Sequence, residues 1–226
     1  MVVAGHGNES SLHSQIKEWY GRDGDRFEVE VDGFIVDVVR GNLLIEVQTG
    51  NFSSIREKLR SLIKNHRVRL VYPVTERKWI VRVDRAGGSV VSKRRSPKVG
   101  RVVDVFNELV SVPRLGGDGN FELEVLLVEE EEVRCDDGRG SWRRRGISIK
   151  DHRLLKVVGS VQFSHKEDYI RFLPCGLTEP FTSRQLSEAS GLPLRLAGRI
   201  TYVLRRMGAL RVVGKEGQAW RYAVSV

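Results

Sequence analysis

Residues 27–47 constrain the fold of this chain more than any other stretch. Three short apolar-rich runs, Phe27–Val31, Phe34–Val39 and Leu43–Val47, are separated by the dipeptides Asp32-Gly33 and Gly41-Asn42. These residue types accept the positive φ that two-residue hairpin turns need, so the stretch reads as a three-strand meander. A two-residue turn at Gly41-Asn42 pairs Arg40 with Leu43, and Asp37 then lies opposite Glu46 with Cβ atoms roughly 5 Å apart. Side chains alternate along a strand, so Gln48 shares the face of Asp37 and Glu46. The opposite face carries Phe34, Val36, Val38, Leu43, Ile45 and Val47, all apolar, and must be the core face. The same pairing about Asp32-Gly33 sets Glu28 opposite Asp37, which puts three carboxylates in a row. Like charges placed so repel, and a divalent cation, raised pKa values or basic side chains from a neighbouring helix must offset them. Ile35, Val39 and Leu44 share the acidic face, which makes it a partly covered cleft.

The flanking segments extend the pattern. Ser10–Tyr20 reads as a helix with Leu12, Ile16, Trp19 and Tyr20 at helical spacing, and Phe52–His66 as a second with Phe52, Ile55, Leu59, Leu62 and Ile63 in one stripe. Val68–Val74 and Trp79–Val83 read as strands, residues 86–100 as a Gly-rich and then basic loop, Val103–Val110 as a helix and Phe121–Val133 as a long strand. The acidic run Glu129–Glu132 reads as a charged strand end. Residues 134–164 give no clear pattern beyond the basic cluster Arg143–Arg145. Helix, three-strand meander, helix and strand imply an α/β layered arrangement.

Asp37, an eight-residue gap, and then Glu46-Val47-Gln48 on consecutive strands resembles the signature of the PD-(D/E)XK, or restriction-endonuclease-like, nuclease superfamily. The flanking helices and following strand match that superfamily's core order over roughly residues 10 to 85. The resemblance implies an α/β/α core with a mixed sheet, in which Asp37, Glu46 and the Val47 carbonyl hold Mg²⁺ or Mn²⁺. It also implies hydrolysis of DNA phosphodiester bonds. Glu18 is similar to the extra acidic residue many members carry in the first helix; an ordinary exposed helical Glu is the other reading. Val36 replaces the signature proline. Gln48 stands where the lysine that helps activate water is usual, although some active members have Gln there. Lys58, flanking the stripe of the second helix, is either a migrated substitute for that lysine or a boundary lysine whose stem covers apolar surface.

The C-terminal stretch has its own logic. Thr182 or Ser183 caps a helix through Ala189 that Gly191 ends, and Pro193 starts a second helix running to Met207, with Gly208 as its stop. Ala209–Val213, the turn Gly214–Gly217 and Ala219–Val226 then form a hairpin. This order resembles the winged helix-turn-helix superfamily over residues 165–226. Leu196, Ile200, Val203, Leu204 and Met207 form the inward stripe. Arg195, Arg199, Tyr202 and Arg206 form a separate row suited to phosphates and base edges in a major groove. Lys215 and Arg221 add hairpin contacts to the DNA backbone. The expected division is a nuclease-like domain over 1–164 and a winged helix over 165–226.

Charge points the same way. The 226 residues carry a net +9, and residues 181–226 hold eight Lys/Arg against two Asp/Glu. An excess of this size and placement implies an anionic partner, nucleic acid first. The two cysteines, Cys135 and Cys175, exclude a disulfide scaffold and a cysteine zinc site. No apolar run reaches membrane-spanning length, and Met1-Val2-Val3-Ala4 lacks the charged start and long apolar stretch of a signal peptide, so a cytoplasmic protein without membrane contact is expected. The expected partner is double-stranded or branched DNA, and a homodimer is compatible with the reading. Two alternatives stay open: a catalytically inactive nuclease-fold DNA-binding or regulatory protein, and a protein-interaction scaffold.

Overall fold

The computed structural model describes residues 10–85 and 89–225. Met1–Ala4, Ala86–Gly88 of the glycine-rich loop and Val226 at the end of the expected last strand lie outside the described residues.

The fold is α/β with a seven-stranded mixed sheet and a separate two-stranded hairpin. Helix α1 (Ser11–Tyr20) precedes β1 (Arg26–Val31), β2 (Phe34–Arg40) and β3 (Leu43–Val47). Then come α2 (Arg56–Leu62), β4 (Arg67–Val83), β5 (Val90–Arg95), a 3-10 turn at Val102–Val105 and α3 (Phe106–Leu109). Next are β6 (Phe121–Asp136) and β7 (Ile147–Phe163), and a 3-10 segment at Lys166–Phe172. Helices α4 (Ser183–Ser190) and α5 (Leu194–Arg206) and strands β8 (Leu210–Glu216) and β9 (Ala219–Val224) complete the chain. The sheet order is β1-β2-β3-β4-β6-β7, with β5 beside β4.

The meander forms as its turn residues require. Asp32 and Gly33 take φ of 50° and 80°, and Gly41 takes 57°, the left-handed values that tight hairpins demand. The register is the one derived above: Arg40 pairs with Leu43 and Val38 with Ile45, and on the other side Val31 pairs with Phe34 and Phe27 with Val38. Val36, Val38, Ile45 and Val47 are buried, as the apolar face requires, while Phe34 and Leu43 at its margin are half-buried. β3 then runs parallel to β4 with Leu43 beside Arg67 and Val47 beside Val71, so α2 is the crossover that parallel pairing needs.

Several expectations are corrected. The helix expected over Phe52–His66 is limited to Arg56–Leu62. Asn51 adopts φ 54°, and its carbonyl and side chain accept from the Ser54 and Ser53 hydroxyls, a local network that competes with helix. Val68–Val74 and Trp79–Val83 are one strand, and Pro73 lies past the ladder with β3, which ends at Val71. The basic stretch from Ser92 is not loop alone, since Lys93–Arg95 belong to β5 and pair with Val81–Trp79. The hairpin turn near the C-terminus is Gly217-Gln218, not Gly214–Gly217, with Glu216 paired to Ala219.

The chain divides into two compact units that are not sequential. One comprises residues 1–25, 73–101 and 126–160, and the other residues 26–72, 102–125 and 161–226. The segment after residue 164 therefore belongs with the meander and does not stand apart. In the first unit Leu12, Ile16, Ile80, Val81, Leu126 and Val128 are buried, and Ser11 holds Asp151 through both its N–H and its hydroxyl. In the second, Phe106, Phe163, Tyr169 and Phe172 form an aromatic cluster with centroids 4.7–6.5 Å apart. Helix α4 starts on a capping box between Thr182 and Gln185, and α5 buries Leu196, Ile200, Val203 and Leu204 as its stripe requires. Among the described residues no helix is long and apolar enough to cross a membrane.

Candidate functional site

The backbone ladder between β2 and β3 stops at Val38 and Ile45. One step further, Asp37 replaces it with its side chain: Oδ2 accepts the Val47 N–H at 2.8 Å. Glu46, between Ile45 and Val47, is only 4% exposed. The ammonium of Lys58 reaches back from α2 to 2.5 Å from Glu46 Oε1 and donates to the Ile35 carbonyl. Asp37, Glu46 and Lys58 thus form one cluster on the face opposite the valine core.

Its electrostatics follow from burial. The Glu46 carboxyl is pushed up to about 7, first by desolvation and then by the negative charge of Asp37, with Lys58 pulling the other way. At Glu46, burial and the Asp37 charge together outweigh Lys58. Gln48 is half-buried, and its amide donates to the Gly50 carbonyl. Glu28 lies level with Asp37 by register, yet it is exposed and takes a left-handed φ of 52°. Glu18 is exposed on α1, within the other compact unit.

A second acidic group was not legible as such in the sequence. The run Glu129–Glu132 alternates across β6. Glu130 and Glu132 are buried, whereas Glu129 and Glu131 face out to Arg77 and Lys93 at 3.1 and 2.5 Å. Glu130, Glu132 and His152 offer ligand atoms within 4.8 Å of one another. Lys78, however, lies 2.8 Å from both carboxylates, and Arg134 is 2.5 Å from Glu132. Burial opposes ionisation of both acids, but hydrogen bonds from His152 and Lys78 to Glu130, and from Lys78 and Arg134 to Glu132, hold them below the usual carboxylate range. Two negative and two positive charges balance without a cation, so this is a buried ion-pair network. Its signal in the sequence was the period-two Glu run facing Arg77 and Lys78.

The basic residues expected to meet nucleic acid divide. Arg195, Tyr202 and Arg206 are exposed on α5, joined by Arg205, which the helical row had omitted. Arg199 is instead captured by Asn107 Oδ1 on α3. Lys215 is exposed on β8, with its ammonium 4.3 Å above the Trp220 ring. Arg221 donates to the Pro180 carbonyl at 3.1 Å and lies 3.8 Å from Glu216, so it fastens the hairpin.

Comparison with known proteins places this arrangement in a family. The model described as a domain of unknown function (DUF8091) matches residues 10–164, and the chain belongs to that family. It is also similar to an uncharacterized protein of Treponema pallidum (strain Nichols), 32% identical over 216 residues, covering 95% of this chain and 84% of the relative. No solved structure matches.

Proposed function

We propose that this protein is a divalent-metal-dependent DNA endonuclease with a restriction-endonuclease-like core, positioned on DNA by a C-terminal winged helix. The observation that carries this reading is the closeness of Asp37 to buried Glu46 on adjacent strands, with the Lys58 ammonium against Glu46. The donor set suits a hard cation: Asp37 and Glu46 offer carboxylate oxygens on adjacent strands, and Glu46 is buried beside Asp37 with its pKa raised first by desolvation and then by Asp37. Asp37, Glu46 and the Val47 carbonyl would hold Mg²⁺ or Mn²⁺. Bound there, such an ion lowers the pKa of a coordinated water and polarises a phosphoryl oxygen. Lys58 supplies the positive charge that the pattern usually takes from the position of Gln48, close to where charge develops on the phosphate. Arg195, Tyr202, Arg205 and Arg206 supply contacts to duplex DNA.

One observation favours a second reading, a catalytically inactive DNA-binding protein on the same fold: Gln48 brings no charge and its amide donates to the Gly50 carbonyl. Incubation with plasmid and branched DNA in Mg²⁺, Mn²⁺ or EDTA separates the two. Metal-dependent cleavage lost in Asp37→Ala and Glu46→Ala supports the nuclease. Salt-sensitive binding without cleavage under any metal supports the second reading.

A further inference from the structure

The connection from β6 to β7 carries a fingertip that the Asp37–Glu46 centre does not use. Between Asp136 and Ile147 the one large apolar side chain is Trp142, and it is 83% exposed. Arg139, Arg143, Arg144 and Arg145 share this connection, all exposed, and none makes an ion pair among the described residues, Arg144 Nε donating to the Ile147 carbonyl at 3.3 Å. The Arg143 guanidinium lies 5.6 Å from the indole centroid.

The loop is built, with defined bonds throughout. Gly140 N–H donates to the Gly146 carbonyl at 2.9 Å, and Trp142–Arg144 form a single 3-10 turn that Arg145 ends at φ 52°. A Cβ at Gly140 would fall 1.8 Å from the Ile147 carbonyl oxygen, so this closure needs glycine. At the base, Asp137 accepts from Lys150 at 2.6 Å, Ser148 at 3.0 Å and the Arg139 N–H at 3.0 Å. The tip therefore presents its indole from a fixed platform.

Charge and chemistry select the partner. A membrane-seeking tip needs a contiguous apolar area, whereas the neighbours of Trp142 are glycine, serine and arginine. An indole beside uncompensated guanidiniums matches a nucleobase with its flanking phosphates, since every base has a π-face to stack and Arg binds phosphate oxygens in a fork. We propose that Trp142 is a base-stacking residue that engages an unpaired base of a nucleic-acid strand, with Arg143 and Arg145 on adjacent phosphates. This gives the protein a preference for single-stranded or branched substrate. It rests on the nuclease reading for the class of partner and not for catalysis.

The test titrates the full chain in EDTA against a single-stranded oligonucleotide carrying 2-aminopurine. Wild type should bind and change the probe's emission by stacking. Trp142→Ala should lose about tenfold in affinity together with the emission change, and Trp142→Phe should keep most of both. Arg143→Ala with Arg145→Ala should reduce the log–log salt slope by about 1.4, the value for two single-strand phosphate contacts. Unaltered melting temperatures would show that these tip variants fold. Binding and emission in Trp142→Ala equal to wild type overturn the proposal, as does blue-shifted emission on phosphatidylglycerol vesicles without oligonucleotide binding. Cleavage with Mg²⁺ or Mn²⁺ is followed on the same preparations. Cleavage with Trp142-independent binding overturns the fingertip alone, and Trp142-dependent binding without cleavage overturns the nuclease alone.

Discussion

Lys58 and Glu46, on α2 and β3, meet at 2.5 Å on the acidic face of the meander, with the lysine three-quarters or more buried along with its partner. The contact joins the carboxylate whose pKa burial raises to the nearest cation able to lower it. A lysine from the crossover helix thus brings its charge to Glu46 through space, whereas uncharged Gln48, just past the end of β3, bonds to Gly50.

If this lysine serves the chemistry, Lys58→Ala should lower metal-dependent DNA cleavage by about a hundredfold, the scale for losing one preorganised charge partner. Gln48→Ala should change it by less than about threefold, because that amide is engaged by Gly50. Single-turnover rates at saturating Mg²⁺ or Mn²⁺ measure both. A larger effect at Gln48 than at Lys58 would remove the role assigned here to Lys58.

Stability should respond to pH through Glu46. Its folded-state pKa of about 7 lies above the ordinary value of 4.5, so the folded protein holds this proton more tightly than the unfolded chain. The resulting stabilisation is present below about pH 4.5 and declines as pH rises to about 7, on the order of 3 kcal/mol in all. Glu46→Gln should flatten the melting-temperature profile across that window. A wild-type profile with the same slope as the variant sinks the assignment.

Metal binding should be linked to the same proton. Near pH 7 a divalent cation binding Asp37 and Glu46 displaces the Glu46 proton. Titration calorimetry in buffers of different ionisation enthalpy should therefore detect proton release from wild type. No heat of Mn²⁺ binding is expected in Asp37→Ala with Glu46→Ala, and retention of full binding there would place the metal elsewhere.

On α5, Arg195→Ala with Arg206→Ala should weaken duplex binding and reduce the log–log salt slope by about 1.8, two released phosphate contacts. Arg199→Ala should behave differently. Its partner is Asn107, so it should lower the melting temperature, as Asn107→Ala also should, with little change in the salt slope. Fluorescence anisotropy across a salt series distinguishes the two behaviours.

Lys78→Met should be severe. It leaves Glu130 and Glu132 buried with one of their two principal cations gone, a loss of about 3–5 kcal/mol by urea denaturation. Replacing Glu130 and Glu132 by Gln in the same background should restore much of it, because the uncompensated charge goes with them.

Much of the site was legible because its determinants are local. The dipeptides Asp32-Gly33 and Gly41-Asn42 set the turns, the turns set the register, and period-two alternation then separates Asp37 and Glu46 from the valines. The helix pair near the C-terminus was legible for the same reason, through the Thr182 cap, the Gly191 stop and the stripe from Leu196 to Met207. The helix from Phe52 was overread, because its apolar spacing continues through a turn that Asn51 and two serines hold by side-chain bonds.

By itself, then, the sequence determined the meander, its register, the face each residue takes and the order of the C-terminal helices and hairpin, since neighbours along the chain decide these. Only the tertiary structure decided that Lys58 meets Glu46, that Asn107 captures Arg199, that Glu130 and Glu132 are buried around Lys78, and that residues 161–226 share a compact unit with the meander. Those outcomes depend on which distant strands and helices exclude water from a charged group. Desolvation and ion pairing act through space, so no local pattern encodes them.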